Sequence, residues 1–231
     1  FGLEDTDTVG RALTVFLLNK KYRVKKVDAV LTFSERRNQP IIHKTDSFDG
    51  LCLARVLLNK LDELPEANPV DIYWTLSQLV RRRSSLVDSN VALKNQLHAQ
   101  LQHHYPSYQK FFTLFDCKTA LAFWEQYPSI EYLKQTTVEE LAKFLRKESH
   151  NTLSTARAKK IIDIVNSDNY SSVDHQESRD FIVKSIVKTI KFNNGEMKRI
   201  ESEIQNIMAT LGYKLETLVG LDLISASAII S

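Results

Sequence analysis

The sequence is poor in residues that break helices and in residues that crosslink chains. Its 231 residues include 6 Gly, 5 Pro and 2 Cys, whereas average usage is about 7 % Gly and 5 % Pro. With no long Val/Ile/Thr-rich alternation either, this composition excludes a collagen-like chain, a β-sandwich and a disordered segment. Cys52 and Cys117 form no metal-binding or redox spacing, so we expect a protein of the reducing cytoplasm.

Long apolar runs and a strong charge of one sign are also absent. No stretch approaches about 18 uninterrupted apolar residues, so the sequence predicts no transmembrane span and no membrane partner. The 31 Lys and Arg residues exceed the 28 Asp and Glu residues by only +3. An apolar fraction of 43 % is enough for a sizeable core, and the length allows one domain or two small ones.

The first 60 residues have the pattern of an α/β domain, in which strands and helices alternate. The order of predicted elements is a strand end at Phe1–Leu3, a helix ending near Asn19, a strand over Tyr22–Val27, a helix from Ala29 and a helix over Ser47–Leu58.

The remaining sequence is helical and contains two long heptad runs. The first predicts one helix from Asp71 to about His103, and the second runs from Val183 to Leu211. Polar residues at seam positions can fix the register or the number of partners. Shorter helices lie between the runs, and a Gly turn near the end leads into a new helix. The seam residues are Arg83, Asn90 and Asn193.

Three acidic residues are candidate metal ligands. Glu4 follows the first strand, and Asp46 and Asp49 begin a predicted helix three residues apart, on one face. Carboxylate oxygens suit Mg²⁺ or Mn²⁺, and two-metal phosphoryl chemistry uses such carboxylates. The alternative is structural: Asp46 caps the helix, while Asp49 and Glu4 are solvated acids that the helix dipole favours.

Basic residues cluster near these acids and along the first long helix. Such patches supply sequence-independent affinity for nucleic acids, and the interleaved Tyr105 and Tyr108 could stack on bases. We interpret His103 and His104 as surface or nucleic-acid contacts. The open alternative is a solvated helix face, because the net charge is small. The candidate nucleic-acid-binding residues are Arg36, Arg37, Lys44, Arg81, Arg82, Lys94 and His98.

Several of these motifs resemble one family of enzymes. Gly2–Glu4, Gly10–Leu13 and Lys44–Asp49 resemble the split catalytic motif of DEDD transposases, the bridge-RNA-guided recombinases of the insertion sequence "one-ten" group. The Lys-Thr-Asp-x-x-Asp element within Lys44–Asp49 is the most specific. Two segments, Leu79–Leu86 and Leu93–His98, resemble the family's long helix. Gly212–Tyr213 followed by Leu218–Leu221 resembles the start of its C-terminal transposase domain.

The resemblance implies an α/β plus mainly α fold with a partial RuvC-like (RNase H) domain, long coiled-coil helices and a small helical segment. The implied domain boundaries place a catalytic domain over 1–68 and its helical continuation over 69–174. A coiled-coil helix follows over 175–213. Residues 214–231 are the start of the transposase domain, with a helix-hairpin-helix-like turn.

The same resemblance implies a DNA transposase in which Glu4, Asp46 and Asp49 hold Mg²⁺ (or Mn²⁺). It places the first Asp upstream of Phe1 and the nucleophilic Ser beyond Ser231, so we expect the chain to be inactive alone. The implied partners are donor and target DNA, a structured guide RNA, and further copies in a dimer or tetramer formed through the coiled coil. The implied location is the bacterial cytoplasm, at the nucleoid.

Two alternatives remain at this point. A RuvC-like nuclease for branched DNA would use the acids without a serine intermediate. A coiled-coil nucleic-acid adaptor would use them only as helix caps. Convergence of the three acids would separate the adaptor from the two enzymes.

Overall fold

The computed structural model describes residues 1–38, 45–168 and 174–231, and about 70 % of it is helical. None of the helices in these ranges combines the length and apolar character needed to cross a membrane. The chain forms two compact units: unit 1 comprises 1–78 and 207–231, and unit 2 comprises 79–206.

The secondary-structure elements are, in chain order, β1 (Gly2–Leu3), α1 (Arg11–Asn19), β2 (Lys25–Lys26), α2 (Ala29–Arg37), α3 (Asp46–Asn59), α4 (Asp71–His104), α5 (Lys118–Gln126), α6 (Ile130–Lys134), α7 (Val138–Glu148), α8 (Thr155–Ser167), α9 (Gln176–Leu211) and α10 (Leu223–Ile230). Short 3₁₀ turns lie at Tyr108–Lys110 and Leu215–Thr217.

Unit 1 contains a strand–helix–strand arrangement. β1 pairs in parallel with β2, with Gly2 opposite Lys25, and α1 connects the two strands. Gly2 allows α3 to approach closely, since an added Cβ would lie 3.1 Å from the side chain of Leu57. Two small groups of buried residues complete this part of the core: Leu17, Val24 and Ala67 in one, and Val27, Val56 and Leu64 in the other.

The observed sheet is smaller than the sequence pattern predicts. The strand expected over Tyr22–Val27 is reduced to Lys25–Lys26. Its backbone lies between two neighbours: the Lys25 N–H donates to the Phe1 carbonyl, and the Lys26 N–H donates to the Pro65 carbonyl. Within the described residues the sheet has two strands, so the RuvC-like domain stays a prediction.

In unit 2, the polar residues predicted at the helix seams form contacts between α4 and α9 of the same chain. Arg83 Nε donates to Glu201 over 2.7 Å, and Asn193 Nδ2 donates to Asn90 Oδ1 over 2.9 Å. Asn90 Nδ2 in turn donates to Asn194 Oδ1. Residue numbers rise along α4 as they fall along α9, so the two helices are antiparallel here. Because this pairing is internal, assembly through a coiled coil stays a prediction.

The core of unit 2 is centred on aromatic side chains of α5 and the segment before it. Trp124 stacks on Phe111 at a ring separation of 5.9 Å and meets Phe123 edge-on at 4.9 Å. Its indole N–H donates to the Phe115 carbonyl over 2.8 Å, which satisfies the one polar group of a buried tryptophan. The helices α7 and α8 pack beside this cluster and supply Leu141, Leu145, Ala158 and Ile161.

Candidate functional site

Asp46 and Asp49 lie in the first turn of α3, as predicted, but Asp46 is not the cap. Thr45 is the N-cap residue, and its hydroxyl accepts the Phe48 N–H over 3.3 Å. The alternative in which Asp46 caps the helix is therefore wrong, because Thr45, one position earlier, is the capping residue. Asp46 is exposed. Asp49 is partly exposed and accepts from Arg36 Nη1 over 2.7 Å.

Glu4 lies at a different place in unit 1. It is exposed just after β1 and lines a cleft of about 520 Å³ together with Lys60 and Glu63. These two residues follow the C-terminal end of α3, whereas Asp49 is in its first turn. Lys60 and Asp49 are eleven positions apart in the chain, which corresponds to about 16 Å along a helix.

The three acids are not brought together as one metal-binding set. Among the described residues, no group of three or more His, Cys, Asp or Glu side chains is placed to hold a metal ion. Asp46 and Asp49 supply at most two carboxylates, and Asp49 is held by an arginine. The arrangement therefore does not fit a complete magnesium site, and the metal-binding role of Glu4, Asp46 and Asp49 stays a prediction.

Asp5, which the sequence analysis missed, organises the loop that follows Glu4. Its carboxylate accepts the Thr8 hydroxyl and the backbone N–H groups of Asp7, Thr8 and Gly10. The Thr8 hydroxyl, followed by the Gly10 and Thr8 N–H groups, holds the pKa of Asp5 well below its usual range. A carboxylate bonded in this way is a structural anchor for the start of α1.

The basic residues of unit 1 are mostly engaged within the protein. Lys25 is buried, and its ammonium donates to the Leu64 carbonyl over 2.7 Å and pairs with Glu66. Arg36 pairs with Asp49 and lies over the Phe33 ring, which Arg37 also approaches. Lys25 therefore cannot contact a nucleic acid in this conformation. Lys44 and His43 lie outside the described residues.

Arg81 and Arg82, in the unit 2 part of α4, are the most available of the predicted contacts. Both are exposed, and neither has an ion-pair partner in the described parts of the chain. Lys94, on the same helix, pairs with Asp116 over 2.8 Å. His98 is half-buried, bonds to the Tyr108 hydroxyl and packs against the Phe115 ring.

The expected stacking residues are core residues. Tyr105 and Tyr108 are 0 % and 1 % exposed, and their rings pack on Trp124. His104 is also buried, and its Nδ1–H donates to the Pro128 carbonyl over 2.8 Å. The interpretation of these three residues as nucleic-acid contacts is therefore wrong, because the apolar core of unit 2 needs them.

A cleft in unit 2 groups basic residues that the sequence analysis did not single out. It has a volume of about 600 Å³ and lies where α4, α5 and α9 meet. The sequence feature that could have indicated this cleft is Gly195, because a glycine inside a long helix such as α9 is unfavourable and suggests a special role. The cleft adds three cations to Arg83 and Lys94 of α4: Lys118, Lys191 and Lys198.

Comparison with known proteins identifies a family match for the first part of the chain. No curated protein and no solved structure matches the chain. A family model for DEDD transposases of the IS110 type, described as "Transposase", matches residues 1–106. That range contains Glu4, Asp46, Asp49 and the exposed arginine pair of α4. This similarity supports the prediction that the chain is an IS110-type transposase.

Proposed function

We propose that the chain acts on DNA as part of an IS110-type transposase. The observation that carries this proposal is the family match over residues 1–106. The Lys44–Asp49 motif, the most specific element of the resemblance, lies within the matched range. Sequence specificity is assigned to a structured RNA that pairs with DNA, so the protein itself contacts phosphates and shape rather than base edges.

Arg81 and Arg82 are the proposed phosphate contacts. They are adjacent in sequence and exposed on α4, and no carboxylate of the described residues neutralises them. A guanidinium that is free of internal ion pairs can release counterions from a nucleic acid when it binds a phosphate. Lys94 can take part only if the ammonium leaves Asp116.

A charge-reversal experiment tests this surface. We expect Arg81→Glu with Arg82→Glu to weaken binding to duplex DNA and to lower the slope of log K against log salt by about 2, since each phosphate contact contributes about 0.9. The matched control is Lys159→Glu with Lys160→Glu, a second pair of adjacent, exposed cations on a helix of unit 2. Equal affinities and slopes for the two double variants would contradict the proposed contacts.

We further propose that Glu4, Asp46 and Asp49 belong to the magnesium site of the assembled enzyme. The support is the resemblance, together with the two carboxylates on the first turn of α3. Completion of the site requires Asp49 to leave Arg36 and Glu4 to approach the first turn of α3.

A second candidate function is a nucleic-acid adaptor without catalysis, which the separation of Glu4 from the α3 acids favours. Mn²⁺ binding followed by electron paramagnetic resonance distinguishes the two functions. If the chain is part of the enzyme, Mn²⁺ binding should weaken by about tenfold or more in the double variant Asp46→Asn with Asp49→Asn. The control pair is Asp88→Asn with Asp163→Asn, two exposed acids elsewhere. Mn²⁺ binding that is equal in both variants would favour the adaptor.

A further inference from the structure

The cleft of unit 2 has the size and lining of a small-molecule site. Its volume of about 600 Å³ falls in the range of about 300–1,000 Å³ that such sites occupy. The charged residues along it are five cations and two carboxylates: Arg83, Lys94, Lys118, Lys191, Lys198, Asp116 and Glu201. This excess of positive charge is complementary to an anion.

Two of the five cations have no ion-pair partner among the residues that the structure describes. Arg83 pairs with Glu201, Lys94 with Asp116, and Lys191 with Glu125. Lys118 and Lys198 are exposed and have no carboxylate partner in the part of the chain that the structure describes. Their ammonium groups are therefore available to a phosphate.

Another part of the cleft is apolar and open. Val87, Val91, Leu121 and Met197 contribute to it, and Val91 is 53 % exposed. Gly195 lies beside them in the middle of α9, where a Cβ would meet no atom within 4 Å. Glycine inside a helix is unfavourable by about 1 kcal/mol relative to alanine. The helix thus has an unfavourable residue at the cleft, where a larger side chain would enter open space.

Asn194 adds a directional donor to the lining of the cleft. Its Oδ1 accepts from Asn90 Nδ2 over 2.9 Å, which fixes the orientation of the amide. Its Nδ2 has no acceptor among the described residues, and Asn194 is one of the residues that line the cleft. An amide N–H held in this way can donate to a carbonyl oxygen on the edge of a base.

We propose that this cleft binds one nucleotide of an unpaired nucleic-acid strand, with its base on the apolar wall and its phosphate at Lys118 and Lys198. The inference rests on the proposed function and adds the unpaired strand as the ligand. A paired base would be stacked and unable to enter a cleft of this size, whereas a base in a single strand is free to do so. An acidic peptide would satisfy the cations but would leave the apolar wall and the Asn194 donor unused.

Filling the cleft tests the proposal without a change of charge. Gly195→Leu places a side chain in the open space and also favours the helix, so the variant is expected to fold. The probe is a labelled oligothymidylate, with a duplex of equal length as the second ligand. We expect Gly195→Leu to weaken single-strand binding by about tenfold or more and to leave duplex binding unchanged. Gly195→Ala should have a smaller effect, and Ala99→Leu, at an exposed position of α4, should have none.

Each other outcome overturns the inference in a distinct way. If Gly195→Leu binds the oligothymidylate as the original chain does, the cleft is not the site. Equally tight binding of free thymidine monophosphate would show that the ligand is a nucleotide rather than a strand. Displacement of the oligothymidylate by polyglutamate of equal charge would show that the site recognises charge alone. If the unchanged chain binds neither strand nor duplex, the proposed function itself fails.

Discussion

At the residue scale, Gly10 is constrained by the loop that Asp5 orders. A Cβ at Gly10 would lie 1.9 Å from the Asp5 backbone oxygen, so Gly10→Ala forces that loop to move. We expect a loss of about 1–3 kcal/mol in the free energy of unfolding, measured by urea denaturation. Gly50→Ala is the matched control. It lies in α3 with nothing within 4 Å of its added Cβ, and it should stabilise the protein by about 0.5–1 kcal/mol. Equal stabilities for the two variants would contradict this account.

His104 makes the stability of unit 2 dependent on pH. Burial lowers its pKa, an effect that the Pro128 carbonyl and Asp180 oppose and that Arg179 and His103 reinforce. The unfolded chain, with an ordinary histidine pKa of about 6.5, therefore binds more protons than the folded one, and stability falls as the pH drops below that value. We expect His104→Asn, which keeps a donor for Pro128 but does not titrate, to lose this part of the pH dependence.

The measurement is urea denaturation of the original chain and His104→Asn across about pH 5 to 8. The original chain should lose more stability toward acid than the variant does. Parallel pH profiles would contradict the prediction, because they would show that His104 has the same proton affinity in the folded and the unfolded chain. The comparison uses differences in profile, so any uniform effect of the substitution on stability cancels.

At the scale of elements, the asparagine pair between α4 and α9 predicts a non-additive response. Asn90→Leu alone removes the 2.9 Å acceptor of the buried Asn193 amide and leaves it only the longer contact of 3.4 Å to Ser89 Oγ, and this should cost about 1–3 kcal/mol. Adding Asn193→Leu removes the orphaned amide and should recover most of that loss. A double-mutant cycle by urea denaturation measures the coupling. Additive losses would show that the two residues act independently.

Local sequence signals predicted most of the helices. Thr137 and Glu140 form a capping box at the start of α7, a signal that the sequence alone carries because both partners lie within one helical turn. Gly212, with φ of +72°, follows the last residue of α9, as expected for a glycine at a helix end. The heptad pattern also placed Asn90 and Asn193 at the contact between the long helices, where they hydrogen-bond to each other.

At the scale of the whole molecule, prediction was weaker because the relevant contacts join distant residues. A run of basic residues does not show that Lys25 will be buried against Leu64 and Glu66. Spacing along α3 places Asp46 and Asp49 together but cannot locate Glu4, whose position depends on how β1 packs. The cleft cations on α5 and α9 are far apart in sequence, so no local motif indicated them.

The most direct test of the proposed function is a titration of a labelled DNA duplex with the unchanged chain at several salt concentrations, followed by fluorescence anisotropy. If the chain acts on DNA, it should bind the duplex with a dissociation constant of about 10⁻⁴–10⁻⁶ M or tighter. Its affinity should fall linearly on a log–log plot as the salt concentration increases from about 50 to 200 mM. An absence of binding at the lowest salt, or an affinity that salt does not change, would contradict a protein that binds DNA through its phosphates.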